Sequence, residues 1–267
     1  MKNVLLLVHD DDGQEARLQV ALDITRAVDG HLKCLDVMHL PVTASDPIAG
    51  IAGGLIFQEE RARETRNRVR LRERLAREDV RWEMEGVTGD LALCIPVHAT
   101  LADIIVLSRQ LESPTSPNMA AVASKVALHC HKPIVAVPQD CTGFNATGTA
   151  IVAWDGSTSA AAALAASVPL LKLARRVVLL QVEDGNGGEP MEEAAAYLSR
   201  HGIRAIMRKV TTERADVAKS LQRVCSDERA SYCVMGIYGH SQVREALLGG
   251  VTRQMLASAP LPLIMAH

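Results

Sequence analysis

The chain has 267 residues, 48% of them hydrophobic and 22% charged, enough for one large domain or two of ordinary size. With 29 Lys and Arg against 31 acids the net charge is −2, and aromatic residues make up 3%, so the basic surface and stacking rings that nucleic acids require are missing. No apolar run approaches the roughly 18 residues that span a membrane. Val4–Val8 is too short an apolar stretch for a signal peptide, and the cytoplasm is the expected compartment.

In chain order, VLLLVHDD (4–11) reads as a first strand ending in acids, with Asp11 and Asp12 in the turn that starts the next helix. A helical stretch, ARLQVALDITRAVDG (16–30), precedes a second strand, LKCLDV (32–37). MHLPVTASDPIAGIAGGLIF (38–57) is a glycine-bearing apolar stretch, read either as a lid or as a plain crossover. QEERARETRNRVRLRERLARED (58–79) interleaves acids with arginines and has few apolar points besides Val69, Leu71 and Leu75. This pattern predicts a solvated outer helix laced with i,i+4 ion pairs.

Further strands follow at ADIIVLS (102–108) and HKPIVAVP (131–138). His129, Cys130 and His131 between them read as a helix end, because neighbouring side chains point apart and cannot share a metal. QDCTGFNATGT (139–149), rich in Gly, Thr and Asn, reads as a linker. The six cysteines form no CxxC pair and read as buried free thiols.

The second half repeats the first. AIVAWDG (150–156), VVLLQV (177–182), ASYCVMG (230–236) and PLPLIMAH (260–267) echo the four strands above, with SAAAALAASVPLLKLA (159–174) as a helix. Matched residues lie 145 apart from Asp10 to Asp155 but 129 apart from Pro133 to Pro262. The first half is therefore longer between its second and fourth strands, and residues 38–57 hold the excess. Continuous apolar strands alternating with helices predict parallel sheets covered on both faces. The expected architecture is α/β: two tandem doubly wound domains, residues 1–140 and 147–267, each with a five-stranded, mostly parallel sheet.

Ligands of such sheets bind at the carboxyl ends of the strands. In the second half Asp155, Val182 and Gly236 end strands one, two and four. Gly236, Gly239, Gly249 and Gly250 would expose backbone N–H groups, and a helix starting near Val251 would offer its positive end to phosphate. Each feature also has a plainer reading. Asp155 before Gly-Ser-Thr-Ser serves equally to start the next helix, and glycines serve turns. No GxxxxGK[ST], strand-turn-helix GxGxxG or HExxH is present. His240 is the one residue near the loop with acid–base chemistry and reads as a surface residue, so no catalytic residue and no metal site is assigned.

These residues resemble the universal stress protein family, as two tandem copies over nearly the whole chain and most closely over 148–183 and 230–267. Nucleotide-binding members carry G-x2-G-x9-G-[S/T] after the fourth strand, a spacing that Gly236, Gly239 and Gly249 reproduce. The resemblance implies a Rossmann-like fold and an adenine nucleotide, ATP or AMP with or without Mg²⁺. It implies Asp155 and Ala153 at ribose and adenine, Val182 and Met235 flanking adenine, and Gly236, Gly239, Gly249, Gly250 and Val251 around the phosphates. Gly250 departs from the pattern by replacing the expected Ser or Thr. A lost hydroxyl contact would cost about 1 kcal/mol, about fivefold in affinity, unless replaced. Thr252 is the candidate replacement, though an ordinary first-turn residue is the simpler reading.

In the first half the corresponding stretch, residues 109–133, contains no glycine, so this copy reads as degenerate. The resemblance further implies that the last strands, PIVAVP and PLIMAH, pair antiparallel across a pseudo-twofold axis within one chain. Association of two chains stays open, as do the protein partners. Three functions remain: a cytoplasmic stress-response sensor acting through nucleotide and partners, with slow ATP hydrolysis at most; a ligand-free scaffold of the same fold; and, least favoured, an adenylating or amide-forming enzyme, which would want Ser where Asp155 stands.

Overall fold

The computed structural model describes residues 1–38, 47–109, 118–183, 190–212, 216–237 and 250–267. The first half runs β1 (Asn3–Val8), α1 (Gln14–Ala27), β2 (His31–Met38), α2 (Pro47–Leu75), β3 (Arg81–Thr88), α3 (Leu91–His98), β4 (Ile104–Ser108), α4 (Met119–Cys130) and β5 (Ile134–Val137). The second runs β6 (Thr149–Ala153), α5 (Thr158–Leu171), β7 (Arg176–Glu183), α6 (Met191–Arg200), β8 (Ala205–Thr211), α7 (Val217–Asp227), β9 (Ala230–Gly236), α8 (Gly250–Ser258) and β10 (Leu263–Ala266).

All ten strands form one sheet, ordered β3-β2-β1-β4-β5-β10-β9-β6-β7-β8. Each half is parallel throughout, and the halves meet where β10 pairs antiparallel with β5, Ile264 opposite Val135. This is the expected doubly wound repeat, with its pseudo-twofold axis at that junction. The pairing leaves neither last strand as an open edge.

Alternate residues of the buried strands feed two apolar layers, as the two-residue period of a strand requires. Leu18, Leu22, Leu75, Leu164 and Leu198 mark the layer under α1, α2, α5 and α6. Ile95, Val126, Leu221 and Met255 mark the layer under α3, α4, α7 and α8. Both layers run without a break from one half into the other.

The segment 139–148 is packed rather than loose. Phe144 is buried and stacks on Tyr232 with ring centroids 4.8 Å apart, and its N–H donates to the Asp23 carboxylate at 2.9 Å. An aromatic anchor thus fixes the linker to both halves at once.

Two sequence expectations change. Helix α2 begins at Pro47, so residues 47–57 of the additional stretch are helical backbone continuing the charged helix; residues 39–46 lie outside the described residues. Nor is the charged helix simply solvated. Glu64 and Asn67 are buried while Val69 is exposed, and most of its ion pairs reach other elements rather than its own next turn. Buried polar groups must find partners, and α2 meets His9 and Asp10 just after β1 and Asp36 on β2.

Candidate functional site

Strand order reverses direction between β6 and β9, the place where an open α/β sheet leaves a crevice at its carboxyl edge. In the order β9-β6-β7, Gly236 closes β9, Ala153 closes β6, and Val182 lies at the end of β7. Met235, Ala153, Val182 and Val251 all pack toward the layer beneath α7 and α8. The strand-end residues singled out in the sequence therefore come together on three neighbouring strands.

Asp155 is exposed just beyond β6. One of its carboxylate oxygens accepts from the N–H of Ser157 at 3.0 Å and from its hydroxyl at 2.6 Å. Ser157 in turn caps α5, accepting from the Ala160 N–H at 3.1 Å. Gly156 turns the chain between them at φ 78°, a left-handed conformation that suits glycine. Asp155 is thus not the helix cap itself. It orients the cap and leaves its position at the crevice.

Gly236 has a structural reason of its own. A Cβ there would stand 2.4 Å from the Ala160 nitrogen and 2.6 Å from the Ser159 carbonyl carbon. The end of β9 lies so close to the first turn of α5 that any side chain would collide with backbone. Gly250 is the opposite case. It is exposed at the start of α8, and a Cβ there meets nothing within 4 Å. Thr252, two residues on in the first turn, is buried, which fits a packing residue. Gly239, Gly249 and His240 lie outside the described residues.

At the strand ends of the first half the protein's own charges pair with one another. Arg17, 1% exposed, donates from its guanidinium to the Ser108 hydroxyl at the end of β4 and to the Leu7 carbonyl at 3.1 Å. Both Asp11 oxygens accept from it, at 2.8 and 2.9 Å. Arg70 holds Asp10 at 2.6 Å, and Arg68 holds the buried Asp36 near the end of β2 with two bonds of 2.6 and 2.9 Å. His9 faces the buried Glu64 at 2.9 Å.

The two buried carboxyls shift in opposite directions. Burial raises Asp36 above the ordinary aspartate value, and the bonds and charge of Arg68 only partly offset it. Burial also pushes Glu64 upward, but the bond and charge of His9, the Asp10 N–H and Asn67 outweigh it and leave Glu64 low. Among the described residues no group of three His, Cys, Asp or Glu is placed to hold a metal ion.

The network was not legible from sequence, because its members come from α1, α2, β2 and β4 and share no spacing. The one signal was the density of charge in residues 58–79. His129 and Cys130 close α4, and His131 follows in a left-handed conformation at φ 48°. No helix among the described residues is long and apolar enough to cross a membrane.

The fold is that of a tandem α/β protein with a reversal of strand order in each half. A model of the Universal stress protein family matches residues 1–138, more than half of the chain, and the chain belongs to that family. The matched half is the one whose loop lacks glycines, whereas the motif resemblance pointed most strongly to the second half. The chain is similar over 99% of its length to a universal stress protein from Archaeoglobus fulgidus DSM 4304, which it covers to 97%, with 17% identity and a TM-score of 0.72. It is also similar to a functionally unknown protein from Pseudomonas aeruginosa PAO1, with 14% identity, 100% and 92% coverage and a TM-score of 0.57. At these identities the likeness shows the shared fold. No curated protein sequence matches the chain.

Proposed function

We propose that this stress-response protein binds one adenine nucleotide, ATP or AMP, in the crevice at the ends of β6, β7 and β9, and regulates protein partners in the cytoplasm through that site. Two family copies, residues 1–140 and 147–267, divide the work. The second holds the ligand, and the first, in which Arg17 and Arg68 are engaged by Asp11 and Asp36, supports the sheet. The single observation that carries this reading is the convergence of Ala153, Asp155, Val182, Met235 and Gly236 at the reversal of strand order. Asp155 would accept from a ribose hydroxyl. Gly236 with Gly239, and Gly249 to Thr252 at the start of α8, would surround the phosphates. Mg²⁺ would accompany a triphosphate.

A scaffold of the same fold that binds no nucleotide is the second reading. Gly236 favours it, because its packing against α5 explains that glycine without any ligand.

Calorimetric titration with ATP and Mg²⁺ separates the two. The nucleotide reading expects one site per chain, weakened about fivefold or more in Asp155→Ala and tightened about fivefold in Gly250→Ser, each worth about 1 kcal/mol. Absence of binding in all three proteins at millimolar ATP overturns it and leaves the scaffold.

A further inference from the structure

The turn that opens α5 contains a chain of three bonded side chains. The Ser157 hydroxyl lies 2.6 Å from a carboxylate oxygen of Asp155, 3.1 Å from the Ser159 hydroxyl and 3.1 Å from the Ala160 N–H. A serine hydroxyl has one proton to give and two lone pairs to fill. An ionised carboxylate only accepts and an N–H only donates, so the Ser157 proton goes to Asp155. Ser159 must then donate to Ser157. The order of donation is Ser159 to Ser157 to Asp155, and every bonding position of Ser157 is taken. Both serines are buried, so water does not compete for these bonds.

The same turn is fixed from the other side of the crevice. A Cβ at Gly236 would stand 2.7 Å from the Ser159 hydroxyl oxygen, besides meeting the backbone of Ser159 and Ala160. The end of β9 and the carboxylate just beyond β6 are therefore both set by the first turn of α5. The first half shows that the fold does not require this device. Helix α1 starts at Gly13 with no side-chain cap bond, and 145 residues before Ser157 and Ser159 stand Asp12 and Gln14. Asp10, the counterpart of Asp155, is held instead by Arg70 of another helix. Starting a helix does not by itself account for the hydroxyl chain, because α1 starts without one.

We propose that Ser157 is a positioning residue of the nucleotide crevice, holding the Asp155 carboxylate in one orientation for a ribose hydroxyl. The proposal rests on the nucleotide reading above and adds to it a residue that touches no ligand. Ser157 acts through Asp155, with Ser159 behind it. Its N–H and its hydroxyl both bind the same Asp155 oxygen, and bonds to a charged acceptor are the stronger kind. A carboxylate already fixed in this way loses less freedom when it takes a ligand.

Calorimetric titration of the full chain with ATP and Mg²⁺ tests it, in a double-mutant cycle of Ser157→Gly and Asp155→Ala. Glycine replaces serine at a helix start with little loss of stability, as Gly13 does in α1, so the variant folds. Ser157→Gly should weaken ATP binding about fivefold, the effect of one lost hydrogen bond. Ser157→Thr keeps the hydroxyl and should stay within about twofold of the wild type. In the Asp155→Ala background Ser157→Gly should change the affinity by less than about twofold, because no carboxylate is left to orient. A full loss in that background would show that Ser157 acts independently of Asp155, and it overturns the proposal. Wild-type affinity in Ser157→Gly, or a Ser157→Thr protein as weak as Ser157→Gly, overturns it too. Each of these three outcomes leaves the nucleotide reading standing. Absence of ATP binding by the wild-type chain overturns that reading and the proposal together.

Discussion

Arg109, the residue after β4 of the first half, donates from its guanidinium to the carbonyl of Leu256 in the last turn of α8 at 2.5 Å. Its own N–H continues the β4–β5 pairing through Val137 at 2.8 Å. A cation thus meets one of the carbonyls that a helix leaves unsatisfied at its C-terminus, and it does so across the junction of the two halves. Arg109→Ala should lower unfolding free energy by about 1.5–3 kcal/mol, the range for a hydrogen bond to a charged group. Arg109→Lys should recover part of it. Urea denaturation of the three proteins measures both; equal midpoints would show that the bond contributes nothing.

Glycines 236 and 250 should behave oppositely in a stability assay without ligand. Gly236→Val forces backbone of α5 aside and should cost about 3 kcal/mol or more, in the range of severe overpacking. Gly250→Ser enters open space at a helix start and should stay within about 0.5 kcal/mol. Differential scanning fluorimetry in nucleotide-free buffer distinguishes them. A stable Gly236→Val would contradict the close packing on Ser159 and Ala160.

The buried network of the first half should tolerate removal of a single member poorly. Arg17→Met strands Asp11 and the Ser108 hydroxyl away from their donor, and breaking such a pair costs about 3–5 kcal/mol. Chemical denaturation should show that loss, and addition of ATP should not restore it. Recovery of stability with nucleotide would mean that the emptied crevice binds ligand.

Glu64 makes a pH prediction. Its carboxyl lies below the ordinary glutamate value of 4.5 in the folded protein, so its stabilising contribution is present above that value and is lost as pH falls through the folded pKa. Glu64→Gln should therefore be less stable at neutral pH, with its Tm converging on that of the wild type in acid. Asp36 runs the other way. Its raised pKa favours the folded state below the ordinary value of 3.8, an advantage lost as pH rises through the raised pKa. Tm profiles from about pH 3 to about pH 7 test both. Parallel profiles for the wild type and Glu64→Gln would count against the His9–Glu64 pair.

Thiol labelling tests the core. Burial pushes the Cys34 thiol up to about 12, and Cys225 and Cys233 are likewise buried, with Cys233 raised by its bond to Cys225 and by burial. Iodoacetamide at pH 8 should leave these three unmodified in the native protein and reach all six cysteines after denaturation, as read by peptide mass spectrometry. Native labelling of Cys34 would contradict the packing of β2.

The central strands were legible because they are buried on both faces and therefore appear as unbroken apolar runs such as Leu5 to Val8 or Val177 to Leu180. The edge strands β3 and β8 were not. Arg81, Glu83 and Glu85 share one face of β3, and the adjacent Arg208 and Lys209 put a charge on each face of β8, so neither strand reads as an apolar run. Helix α2 was legible as a helix, but the roles of its charges were not. Whether an arginine meets water or a buried aspartate depends on what the fold places opposite it.

By itself the sequence determined the repeat, the α/β class and the strand-end residues Asp155, Val182 and Gly236, because local periodicity and glycine spacing are written along the chain. Only the tertiary structure decided that Gly236 packs against α5, that Arg17 and Arg68 pair with Asp11 and Asp36, that Arg109 joins the halves, and that α3 has an apolar outer face. Each of these depends on residues distant in sequence meeting in space, and burial of a charge or crowding at a Cβ is a property of that meeting rather than of either residue alone.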